Sequence, residues 1–140
     1  MAIFLDACVI IYWIELAEPY YAKFIASLKE IRDKHPNSKL VISRLSILEC
    51  CVEPLKSKDK KSLTLFEDFF ADPGIQIVEL TESVITEATK IRATTNLKTP
   101  DAIQAACALQ IKNLKAFVTN DKAFKKLKKL PVELICNVAS

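Results

Sequence analysis

Five short apolar runs recur along this chain: Ile3-Phe4-Leu5, Leu40-Val41-Ile42, Ile75-Gln76-Ile77-Val78, Ala116-Phe117-Val118 and Val132-Glu133-Leu134-Ile135. Runs this short read as buried strands. Between them, residues 19–34, 54–71 and 82–94 space their apolar side chains at helical period, with Val84, Ala88 and Ile91 on one face. Thr99-Pro100-Asp101 opens a further helix with an N-cap, a proline at the first helical position and an acid in the first turn, followed by Ala102, Ala105, Ala106 and Leu109. Strands alternating with helices require crossover connections, so the expected fold class is α/β, a three-layer α/β/α sandwich on a central five-stranded parallel sheet. In such open sheets ligands bind beyond the carboxyl ends of the strands, where the strand order reverses.

The bulk numbers narrow the field. A chain of 140 residues, 51% apolar and 26% charged with one Gly and six Pro, is expected to form a single domain over residues 1–140 rather than a disordered or repetitive chain. Asp6 stands where a secretory leader carries basic residues, and the longest apolar stretch, residues 7–14, is far short of the ~20 a membrane helix needs. The expectation is a soluble protein. Cys8, Cys50, Cys51, Cys107 and Cys136 form no C-x-x-C pair and leave an odd one over, which predicts core thiols in a reducing cytoplasm. His35, the one histidine, lies in a polar stretch that reads as surface loop.

Four acids stand where such a sheet places its site. Asp6 ends the first strand, and Asp121 follows the fourth after only Thr119 and Asn120. Glu49 lies on a helix expected to start near Ser43, just past the second strand, and Asp101 lies in the first turn of the Thr99 helix. Each has a local structural role available. Asp6 and Asp121 can cap the segments that follow them, Ser46-x-x-Glu49 matches a capping box, and Asp101 suits a helix N-terminus. Glu49 and Asp101 are nevertheless set in apolar helices, where burial and mutual repulsion favour protonation unless a cation is present. No single Arg or Lys is an evident partner for all four, whereas a divalent ion with oxygen ligands is.

These residues resemble a known family, the PIN domain, and within it the VapC-type toxins of toxin–antitoxin pairs. The carriers span nearly the whole chain: Phe4 to Tyr12 with Asp6, Ile42 to Cys50 with Glu49, Leu97 to Ile103 with Asp101, and Val118 to Phe124 with Asp121. The resemblance implies that Asp6, Glu49, Asp101 and Asp121 hold Mg²⁺ or Mn²⁺ and carry catalysis, with Thr119 and Asn120 supporting the last acid. It implies hydrolysis of RNA phosphodiesters by a metal-dependent endoribonuclease, a cognate antitoxin as partner, and a homodimer. Cys8 and Gln104 depart from the residues common at their positions, leaving substrate preference and the surroundings of the acids open.

The absence of a histidine pair fits metal chemistry, because a metal-free ribonuclease ordinarily uses His as acid and base. The formal charge of +3 is too small to announce a nucleic-acid binder, but Lys122, Lys125, Lys126, Lys128 and Lys129 form one basic group and Lys56, Lys58, Lys60 and Lys61 another. Tyr12 and Trp13 suit either an interface or the core. A receiver-like phosphoacceptor domain needs a second acid beside Asp6 and an Asp after the third strand; Cys8 and Glu79 stand near those places instead. Cys8 likewise breaks the D-x-D motif of a haloacid dehalogenase. A non-catalytic binding module of PIN type is the remaining alternative, although such modules usually lose one or more of the acids.

Overall fold

Alternation along the strands divides the core into two layers. A computed structural model describes residues 1–137, and in it five strands form one parallel sheet: β1 (Ala2–Leu5), β2 (Lys39–Ser43), β3 (Ile75–Val78), β4 (Leu114–Thr119) and β5 (Val132–Leu134). The order is β3-β2-β1-β4-β5, so the winding reverses at β1, beside β4. Successive residues of a strand face opposite sides. Ile3, Leu5, Leu40, Ile42, Ala116 and Val118 thus enter one core, while Ala2, Phe4, Val41 and Phe117 enter the other.

The first core is covered by α1 (Ala7–Glu15), α2 (Tyr20–Lys34), α3 (Arg44–Lys56) and α4 (Lys60–Ala71), chiefly through Val9, Ile10, Phe24, Leu28, Cys50 and Phe66. The second is covered by α5 (Glu82–Thr94) and α6 (Thr99–Leu109), through Val84, Ala88, Ile91 and a run of alanines. Small side chains on α6 let it approach the sheet closely, and Ala102, Ala105 and Ala106 are fully buried. This is the expected three-layer α/β/α sandwich. Among the described residues no helix is long and apolar enough to cross a membrane.

Several local expectations need correction. Residues 54–71 are not one helix: Pro54 sits inside α3, the chain turns with Lys58 at φ 57°, and Asp59 caps α4 by accepting from the Ser62 amide at 3.1 Å. Lys98 rather than Thr99 is the N-cap of α6, which puts Pro100 one position further in. The lysine-rich segment that Asp121 caps is a 3-10 turn, Lys122–Lys126. Cys50, Cys51 and Cys107 are buried as expected, but Cys8 is half-buried and Cys136 exposed. Trp13 packs on Phe24 and Phe69, with centroids 5.4 Å away in each case, so its ring belongs to core packing.

Candidate active site

The reversal of winding brings the ends of β1 and β4 together. Asp6 directly follows β1, its backbone amide donates to the Val118 carbonyl at 3.0 Å, and its side chain is 7% exposed. Oδ1 caps α1 by accepting from the Ala7 amide at 2.9 Å. Oδ2 accepts from the Thr119 hydroxyl at 2.8 Å and from the Cys8 thiol at 3.6 Å. Thr119, fully buried at the end of β4, in turn accepts from the Asp121 amide at 3.1 Å. One hydroxyl therefore ties together the two strand-end acids.

The other two acids arrive on helices. Ser43 ends β2 and caps α3 by accepting from the Leu45 amide at 3.0 Å, and Glu49 lies a turn and a half along that helix. The capping box anticipated at Ser46 does not form, because Ser46 is a buried interior residue of α3. Its hydroxyl instead accepts at 2.9 Å from Gln104 Nε2, which also donates to Glu49 Oε1 at 2.8 Å. Gln104 is 1% exposed on α6, three residues past Asp101, and its Oε1 has no partner among the described residues. This amide is a site residue whose contacts the sequence left open. The available signal was one amide in the buried, alanine-rich face of α6, since buried polar groups are held by partners.

Electrostatics link the acids without neutralising them. Burial is the main cause pushing the Asp6 carboxyl up to about 6, opposed by the Thr119 and Ala7 hydrogen bonds and aided by the charges of Asp101 and Glu49. Burial also raises Glu49, against its Gln104 bond, with Asp101 adding repulsion. Asp101 is raised by burial and then by Asp121, while Lys98 pulls it down. Among the described residues, no Lys or Arg is among the main influences on Asp6 or Glu49. Asp121 is exposed and caps the following 3-10 turn by accepting from the Ala123 amide at 2.9 Å. Among the described residues Asn120 touches no acid with its side chain: Nδ2 donates to the Tyr12 hydroxyl at 3.4 Å, and Oδ1 is buried with no partner there.

Among the described residues, no three His, Cys, Asp or Glu side chains close around a point as a finished metal cage. The geometry is an open cluster of mutually repelling oxygens. That donor set fits Mg²⁺ or Mn²⁺, hard cations that take oxygen ligands; Mg²⁺ keeps several waters and needs only one or two direct carboxylates.

The family model for the PIN domain matches residues 3–130. The chain belongs to the PIN-domain family. Solved structures of similar fold include VapBC-1 from nontypeable Haemophilus influenzae, with TM-score 0.74, 20% identity, and coverage of 97% of this chain and 99% of the other. VapBC2 from Rickettsia felis, bound to a promoter DNA fragment, gives TM-score 0.72 and 22% identity over 96% and 98% of the two chains. VapC20 of Mycobacterium tuberculosis, a toxin that cleaves the sarcin-ricin loop, gives 0.71 and 12% over 89% and 94%. No curated protein matches at a significant level. Within this PIN fold, all four acids predicted from the sequence lie at or beyond the carboxyl edge of the sheet.

Proposed function

We propose that this PIN-domain protein is a metal-dependent endoribonuclease, the toxin of a toxin–antitoxin pair, with Asp6, Glu49, Asp101 and Asp121 as its metal-binding and catalytic acids. The observation that carries the reading is the coupling of Asp6, Glu49 and Asp101, desolvated and mutually repelling, with no basic side chain among the main influences on Asp6 or Glu49 from the described residues. A divalent cation bound there supplies the missing positive charge, stabilises charge building on phosphate oxygens and acidifies water. Asp6, fixed at both oxygens, and Glu49, fixed by Gln104, orient the donor set. Asp121, exposed at the rim, is placed to meet substrate or solvent.

The chemistry has no histidine to draw on. His35 ends α2 just before the amino end of β2, at the sheet edge opposite the acids, so it takes no part as acid or base. The expected protein partner, an antitoxin, finds support in the outer face of α3, where Leu48, Val52 and Leu55 are 63%, 45% and 60% exposed at helical spacing. Contiguous apolar exposure of this kind marks protein contacts. Several neighbours of similar fold are themselves toxin–antitoxin complexes.

The test compares cleavage of a pool of structured cellular RNAs by the native protein and Asp6→Asn, with Mg²⁺ or Mn²⁺ and with chelator. Cleavage lost in both the variant and the chelated sample is expected. Cleavage that survives both rejects the site, and RNA binding without any cleavage supports a non-catalytic PIN module instead.

A further inference from the structure

Four of the lysines after Asp121 fall into two sets. Lys125 faces a cavity shared with Glu30, Lys34, Lys115 and Glu133, where charges of both signs mix. Lys126, Lys128 and Lys129 face the other way, into a groove of ≈ 390 Å³ walled by α5 through Lys90 and Thr94. Glu87 is the one acid lining it. None of these four lysines forms an ion pair among the described residues. The groove runs on into a second hollow lined by Thr94, Thr95, Asn96 and Lys126.

Both walls lead to the acids. From α5 the chain passes through Asn96 and Lys98 into α6, whose first turn carries Asp101. On the other wall, Lys126 closes the 3-10 turn that Asp121 caps. Four like charges held along one groove repel one another unless a polyanion lies between them, and RNA offers evenly spaced phosphates. The second basic group lacks this arrangement, since Lys61 there acts on the carboxylate of Asp59.

We propose that the groove between α5 and the segment following Asp121 holds the phosphate backbone of the RNA substrate beyond the scissile bond. Lys90, Lys126, Lys128 and Lys129 are the side chains that meet its phosphates. This rests on the ribonuclease reading for its substrate class, but binding and cleavage can be measured apart.

Asp6→Asn protein serves as the binding background, titrated with a fluorescein-labelled RNA stem-loop by anisotropy over a range of salt. Adding Lys126→Gln, Lys128→Gln and Lys129→Gln together should weaken binding at least about 10-fold and make the log–log salt slope shallower by about 2–3, at ~0.7–0.9 for each phosphate no longer neutralised. The charge-matched triple Lys56→Gln, Lys58→Gln and Lys60→Gln should change neither. Replacing the three groove lysines by Arg should keep binding, which separates lost charge from damaged folding. With the native Asp6 restored, the groove triple should raise KM and leave kcat. Equal losses from both triples, or no loss from the first, overturn the groove. Groove-dependent RNA binding by a native protein that never cleaves overturns the nuclease reading and leaves the groove standing.

Discussion

Gln104 holds Glu49 from a different helix: its Nε2 lies 2.8 Å from the carboxylate, while Asp101 stands three residues before it on α6. The amide thereby sets the position of one acid relative to another. Its second donor bond goes to Ser46, and its own oxygen has no partner among the described residues, so its donors are satisfied there and its acceptor is not. Groups that orient metal ligands typically change affinity about 10–100-fold when removed. Gln104→Leu also leaves the buried Ser46 hydroxyl and the Glu49 carboxylate without their donor, a loss of about 1–3 kcal/mol in folding. Gln104→Leu should therefore raise the Kd for Mn²⁺ by about 10–100-fold in calorimetric titration, with a fall of about 1–3 kcal/mol in unfolding free energy. A large fall in Tm with unchanged affinity would make Gln104 a packing residue only.

Burial of Asp6 predicts an unusual dependence of stability on pH. Its carboxyl rises from the ordinary 3.8 to about 6 in the folded protein, so between those values the native state binds a proton that the unfolded state has released. Stability from this group is full below pH 3.8 and is lost as pH rises through about 6. At ~1.4 kcal/mol per pKa unit, the loss is at most about 3 kcal/mol. Urea unfolding without metal should show native protein losing stability relative to Asp6→Asn between about pH 4 and pH 7. Saturating Mn²⁺ should reverse that trend for the native protein alone, because a ligand that binds only the folded state stabilises it. Parallel pH profiles for the two proteins would contradict the burial argument.

Thr119 connects the two strand-end acids and is the most exacting position to alter. Thr119→Val keeps the shape but removes the donor to Asp6 and leaves the Asp121 amide without its acceptor. The lost bond is one that holds the Asp6 carboxyl down, so the carboxyl should rise above its native value. The rising limb of the pH–rate profile should move to higher pH, and unfolding free energy should fall by about 1–3 kcal/mol. An unmoved pH limb would show that Thr119 serves only the backbone.

Trp13 gives a separate check on what holds α1 in place. Its ring meets Phe24 of α2 and Phe69 of α4, so one side chain joins three helices. Truncation of large core side chains costs about 3–5 kcal/mol, and because Trp13 is only partly buried, Trp13→Ala should fall near 2–3 kcal/mol in urea unfolding. An interface anchor would behave differently, leaving monomer stability alone and weakening self-association in sedimentation.

Much of this architecture could be read from residue order because each cue was local. Short β-branched and aromatic runs, separated by helical spacing, determine a wound parallel sheet, and an acid at the end of such a run must sit at its carboxyl edge. Asp6 and Asp121 were legible for that reason. Glu49 and Asp101 are harder, since a helix can turn an acid anywhere; their placement follows from helices that open just past the second strand and at Thr99, and the family resemblance falls on the same two residues. What stayed hidden depends on distant pairs. Gln104 meets Ser46 and Glu49 across more than fifty residues, and nothing local distinguishes Ser46 as an acceptor from Ser46 as a cap. The break at Ser57 to Asp59 was masked by Pro54, which reads as a helix start but is tolerated inside α3.

The adjacency of β1 and β4 also has a temporal meaning. During synthesis β1 leaves the ribosome well before β4, which is its neighbour on one side. Until Leu114–Thr119 is available, Asp6 lacks the Thr119 hydroxyl and Asp121 has no strand to end. A nascent chain that stops short of β4 thus has no assembled acid cluster, and the pairing of β1 with β4 is the event that completes it.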